Sequence, residues 1–406
     1  MIDFKTRMVS FLLAFGIFFA VSCSTLSLTD KSPDELYNEG EFEQALTVVN
    51  QKLQEHPDST ELKILKSEIL KSSAKNINPI SDRQTTYREL RSTVEEIGFT
   101  TQDYQQKTDS ILVNAWSYEQ GEGVRLLQKD DSETYDENYE AITAHFSNAM
   151  TIIPDSLVTY SLQSTTHYRH GDTQKAIETI EAAENSDLNL TTKLREKLAY
   201  LYLEAGYLDR SITTYEQLVA DEPGNTNFLH GLANAHIIKE NHSHAIEILE
   251  DLTNQYPNRI EYVEALATEK YFLLVETIEE LADQANNENI DNSNINSVLD
   301  ELQTLSELFD ELDSKSPARE DFQLRIASFY KDAGTRLMKF SEMIDNDESE
   351  RLLEFGEQFV EQSLPYWQQL IELSPDNPVY AQRLHESFSI LGMDEEAEMM
   401  NSQINF

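Results

Sequence analysis

A recurrence is the feature that most constrains this chain. Pro223 and Pro257 stand 34 residues apart, each after a helical pattern, and the interior repeats in register with them. Leu198-Ala199 returns as Leu232-Ala233, Ile212 as Ile246 and Leu218 as Leu252, while His236 holds the position of Tyr202. One residue out of step, Gly171 and Gly206 fall where paired helices would turn. Ala176, Ser211 and Ala245 follow as small residues on the second helix. Self-similarity at this period marks a solenoid in which each unit buries its apolar face only against its neighbours. Proline lacks an N–H and clashes inside a helix, so it punctuates; glycine permits the backbone conformation that closes one.

These residues resemble the tetratricopeptide repeat (TPR), in which small residues let helices A and B of a hairpin approach, large ones fill the interface, and proline ends helix B. The resemblance implies an all-α, right-handed TPR solenoid of about seven to eight antiparallel helix hairpins, several with elongated or inserted helices. It is strongest over three compact units, residues 157–190, 191–225 and 226–259. The central segment 156–259 is therefore expected between divergent TPR-like helices at 33–155 and TPR-like hairpins with insertions at 260–406. Gly40, Ala45 and Pro57 give a turn and helix B near the start, with a helix A cut short at Pro33. Extra sequence at 122–138, 269–300 and 335–362 reads as lengthened helices, and Asn286-Asn287-Glu288-Asn289 and Asp345-Asn346-Asp347 read as loops. Residues 76–107 match the repeat least and their register stays open. Alternating β-branched runs are absent, so no region reads as sheet; a non-repeat helical bundle is the alternative.

The first residues carry Lys5 and Arg7, then an apolar run over residues 8–21, then Ser22-Cys23, the one cysteine of the chain. That run is shorter than the ~20 residues of a membrane-spanning helix and fits a signal-peptide core. Ala20-Val21-Ser22-Cys23 resembles the bacterial lipoprotein signal, with Ala where Leu is commonest. The resemblance implies a signal peptide at 1–22, lipidation of Cys23 and a short lipidated tether at 23–32. Ser24 resembles lipoproteins sent to the outer membrane. The expected location is thus the bacterial cell envelope, lipid-anchored, at the outer membrane facing the periplasm or the cell surface. An ordinary secretion signal with an incidental cysteine is the other reading. With no second thiol, disulfides and thiolate metal sites are excluded.

Composition narrows the partner. Against 31 Lys and Arg there are 74 Asp and Glu, a formal charge of −43, so nucleic acid and anionic lipid faces are repelled. The acid is dispersed along helices rather than blocked in tails, and a high-salt habitat would favour it. No glycine-rich phosphate loop, His-Glu-x-x-His or Gly-x-Ser-x-Gly motif occurs. His230, His236, His242 and His244 cluster in one unit, but helical rotation points the first two apart and the others fall in the turn. The acidic loops at 130–133 and 345–348 lack the glycine and glutamate positions of a calcium loop. No cofactor, no metal and no catalytic residue are expected.

The resemblance also implies a binding face. TPR proteins hold an extended peptide or a partner helix on the concave face built by helices A. Mapped onto this sequence, that groove takes Thr165, Tyr168, Lys193, Lys197, Tyr200, Asn227, His230, Asn234 and Ile237, with Tyr271 beyond. Aromatics and amides can stack and hydrogen-bond a peptide, and lysine can pair with an acidic group. The set does not reproduce the Lys and Asn positions of TPR domains that clasp chaperone tails. The expectation is a membrane-tethered, non-enzymatic scaffold for a protein or peptide. Two alternatives remain: a SusD-like glycan-binding lipoprotein, against which stand only two tryptophans, Trp116 and Trp367, and an enzyme with an unrecognised site.

Overall fold

In the computed structural model, residues 31–98, 101–129, 132–285, 291–315, 319–344 and 347–404 are described. The expected signal peptide, Cys23 and almost all of the expected tether lie outside them, as do residues 130–131, 286–289 and 345–346, where loops were expected. The described residues form eighteen α-helices and one short 3-10 turn, with no strand among them. They belong to two units, the first ending at Thr166 and the second starting at His167.

The first unit holds three hairpins: α1 (Pro33–Asn38) with α2 (Phe42–Glu55), α3 (Thr60–Ala74) with α4 (Arg83–Ile97), and α5 (Gln102–Leu127) with α6 (Ser132–Ile152). Most of α7 (Leu157–Arg169) follows, and α8 (Thr173–Asn185) lies in the second unit. Five more hairpins come next: α9 (Thr192–Glu204) with α10 (Leu208–Asp221), α11 (Thr226–Ile238) with α12 (His242–Gln255), α13 (Ile260–Ala285) with α14 (Asn292–Lys315), α15 (Glu320–Ser341) with α16 (Asp347–Leu373), and α17 (Pro378–Ile390) with α18 (Asp394–Ile404). Among the described residues this is an all-α array of antiparallel helix hairpins. The described residues of the expected inserts at 122–138, 269–300 and 335–362 belong to lengthened helices, and the described part of 76–107, where the register was left open, holds α4 and the start of α5.

The repeat is visible atom by atom in the turns. At the end of α9 the Gly206 N–H donates to Leu203 O and the Tyr207 N–H to Tyr202 O, 3.0 and 2.9 Å. The same pair of bonds closes the turns at Gly40, Gly171 and Gly392, whose φ angles lie between 69° and 82°. After α11 the position is Glu240, at φ 59°, with its N–H on Ile237 O and the Asn241 N–H on His236 O. A left-handed residue with a Cβ costs on the order of 1 kcal/mol, so the sequence departs from glycine here while the backbone does not. Between hairpins, Pro57, Pro154, Pro223, Pro257 and Pro375 each follow a helix-B terminus. The side chain of Asn225 then accepts from the Asn227 N–H at 3.2 Å to cap α11, and Asn377 caps α17 in the same way.

The first unit holds a buried polar network, and both units hold apolar clusters. In the first unit Glu119 is wholly buried and accepts from Arg83 Nη1 at 3.1 Å, Tyr87 OH at 2.7 Å and His145 Nδ1 at 2.6 Å. Arg83 also donates to the carbonyls of Ile77 and Lys75. The network ties α4, α5 and α6 together. In the second unit, α13 to α16 enclose an apolar core around Leu302, Leu305, Ala333 and Leu337. There α15 and α16 cross at two glycines: a Cβ at Gly334 would meet Gly356 O at 2.5 Å.

Candidate functional site

The candidate site is the helix-A surface of the second unit. Residues 193, 197, 200 and 204 recur every three or four positions and therefore share a face of α9, as do 227, 230, 234 and 237 on α11. Their opposite faces supply core residues such as Leu198, Ala199, Leu232 and Ala233. Helical periodicity alone thus leaves one polar and aromatic stripe per helix facing outward.

Neighbouring stripes touch. The hydroxyls of Tyr168 and Tyr200 are 3.0 Å apart with their rings edge to face, and Glu204 accepts from Tyr168 at 3.4 Å. Hydrogen bonding to Tyr168, helped by partial burial and the nearby carboxylate, raises the Tyr200 phenol above its ordinary value. On α11 the Asn234 amide lies 3.2 Å from His230 Nε2, and the His230 ring packs against Tyr262 of α13. Lys193, Asn227 and His230 form the outer part of the stripes, while Asn234 is half-buried. Lys197 is also half-buried, and desolvation pushes its ammonium down to about 8. Ile237 packs at the edge of the α11–α13 core. Thr165 belongs to the first unit, where its hydroxyl returns to Ser161 O, 2.9 Å away and one turn earlier.

Tyr271 leads into a feature that the sequence did not disclose. Its hydroxyl donates to Asp332 of α15, its ring stands edge to face on Phe329, and both border a cavity of about 840 Å³. Successive helices A, α13, α15 and α17, form the walls, while Phe309 and Trp367 from helices B reach the floor. Arg325, Lys331 and Arg383 line it against Asp332 and Glu386. Glu386 serves both Lys331 and Arg383, the latter at 3.0 Å. Burial would raise its pKa, but these two cations hold it below the carboxylate range.

The clustered histidines find protein partners. His242 Nδ1 lies 2.7 Å from the buried Glu269 carboxylate, and His236 stacks on His244. His242 and His244 stand in the first turn of α12 rather than in the turn before it. Among the described residues no group of side chains is arranged to hold a metal ion, and no helix is long and apolar enough to cross a membrane.

Residues 202–269 match the tetratricopeptide repeat family. Among solved structures, a MamA mutant aligns over 54% of this chain and 97% of its own at 16% identity and TM-score 0.34. A thermophilic TPR protein of Thermus thermophilus aligns over 50% and 95% at 18% identity and TM-score 0.25. A tetratricopeptide repeat protein from Parabacteroides merdae aligns over 80% and 95% at 11% identity and TM-score 0.31. No curated protein sequence matches the chain.

Proposed function

We propose that the chain is a tetratricopeptide-repeat protein acting as a non-enzymatic interaction scaffold that holds a segment of a partner protein on the helix-A surface of its second unit. One observation carries the reading. The faces of α9 and α11 turned away from the core are built from aromatic, amide and ammonium groups, with Tyr200 41% exposed. Such groups stack on side chains and satisfy a peptide backbone at low conformational cost. The half-buried Lys197 adds a desolvated cation that favours an acidic group in the bound segment.

Lipidation at Cys23 would fix the scaffold to the envelope membrane, and several acyl chains make such anchoring stable. Photo-crosslinkers at Tyr200 and Asn234 are expected to capture the same partner in intact cells, and one at the exposed Gln217 on α10 is not. If changing Tyr168, Lys197, Tyr200 and Asn234 together leaves every crosslink intact, the surface is misassigned. Cys23→Ala should move the protein out of the membrane fraction; retention there would remove the anchor from the proposal.

A further inference from the structure

The cavity between α13, α15 and α17 has the dimensions and lining of a small-molecule site. Ligand pockets typically span roughly 300–1,000 Å³, with apolar walls and a few convergent polar groups; this one is about 840 Å³. Its aromatic wall is Phe272, Phe309, Phe329 and Trp367. Phe272 is 46% exposed although it sits beside a cavity able to cover it. Apolar surface left open in this way favours whatever ligand buries it.

Charge selects the occupant. In a chain where acids outnumber bases 74 to 31, this wall reverses the balance, with three cations against two carboxylates. Arg325 is taken by Glu264 at 2.8 Å, while Lys331 and Arg383 share the single carboxylate of Glu386. At that end of the cavity two cations meet one carboxylate beside an apolar floor, while Asp332 is held by Arg336. The floor holds a further unmet group: the indole N–H of Trp367, a residue 1% exposed, is buried without an acceptor. A native buried donor of this kind calls for a partner, which a ligand oxygen or a water carried in with it supplies.

We propose that this cavity binds a single-chain anionic amphiphile, a long-chain carboxylate whose head lies between Lys331 and Arg383 and whose chain runs over Phe329 and Trp367. A cationic amphiphile is disfavoured by the same surplus charge. A neutral one forgoes the head-group contact.

The chain contains its own reporter, because Trp116 and Trp367 are its only tryptophans. In a Trp116→Phe protein the emission comes from the cavity floor. Titration with a dibrominated stearate below its micelle concentration should quench that emission saturably, with one molecule bound per chain. Unbrominated stearate should relieve the quenching and dodecyltrimethylammonium should not. Lys331→Gln with Arg383→Gln should weaken binding by about tenfold or more, with helical content and melting temperature kept as the check on folding. If that pair fails to fold, Arg383→Gln alone is expected to weaken binding in the same direction. Absence of saturable quenching, equal relief by the cationic amphiphile, or unchanged affinity in the folded variants would overturn the proposal. So would relief by an acidic aromatic peptide where stearate has no effect, since the cavity would then be a peptide subsite.

Discussion

A carboxylate without solvent contact must be held by donors, and Glu119 gathers three strong ones from Arg83, Tyr87 and His145. Burial would raise its pKa, but these hydrogen bonds outweigh burial and hold it below the ordinary glutamate value of 4.5. The sign follows: a carboxylate whose folded pKa is depressed contributes stability that is fully present above 4.5 and is lost as pH falls through the folded value. Glu119→Gln keeps the shape but leaves the Arg83 charge buried without its counter-ion, which should cost about 3 kcal/mol. Urea unfolding followed at Trp116, one turn from Glu119, is the measurement. The variant should be less stable at pH 7, and the difference from the parent should shrink as pH falls below the ordinary glutamate value of 4.5. A constant difference across that range would mean that the charge is not what Glu119 contributes.

At the scale of elements, close approach is decided by what a helix lacks. Gly334 and Gly356 put α15 against α16, so Gly334→Ala forces a Cβ to within 2.5 Å of a carbonyl oxygen and should cost about 2 kcal/mol or more. Gly121 on α5 is also helical, with nothing within 4 Å of a Cβ, and Gly121→Ala should stabilise by about 0.8 kcal/mol. Denaturation monitored at Trp367 for the first and Trp116 for the second checks both; equal effects would refute the crossing. Sequence spacing could not separate these glycines, because each lies in a helical pattern and only the neighbouring helix distinguishes them. The compact hairpins were legible for the opposite reason: Leu198, Leu232 and their equivalents pack at fixed intervals, so their register survives in one dimension. Helix α4 reads as amphipathic from Tyr87, Leu90 and Ile97, but its register was not legible, because its first turn buries Arg83 in a polar network instead of an apolar residue. Nor was the cavity, since Tyr271, Phe329 and Trp367 come from lengthened hairpins that break the 34-residue step. The scarcity of basic residues was a usable signal there, as Arg325, Lys331 and Arg383 gather where acid dominates. His230 and Asn234 sit one turn apart on α11, a pair that spacing alone allows, whereas the pairing of Tyr168 with Tyr200 needed two helices side by side.

For the molecule as a whole, electrostatics is set by number rather than by any pair. Even if each of the 31 basic side chains were matched with an acid, the formal charge of −43 would stay uncompensated. Exposed ion pairs such as Lys107 with Asp103 or Arg91 with Glu95 sit in high dielectric and contribute little each. Salt weakens those attractions and the repulsion together, and the excess of acid decides which loss matters more. Between about 0.01 and 1 M salt the screening length falls from roughly 30 to 3 Å, which removes repulsion between helices before it removes contacts at hydrogen-bond distance. The melting temperature is therefore expected to rise with sodium chloride, by on the order of 5 °C over that range. Sodium and potassium chloride should act alike, whereas sulfate should add to the effect because it is excluded from the protein surface. A melting temperature that stays level or falls from low to molar chloride would mean that local ion pairs, not the net charge, govern the stability of this chain. The same screening should leave the Glu119 network intact, since it lies out of reach of solvent ions, so acid sensitivity at Trp116 ought to persist in molar salt.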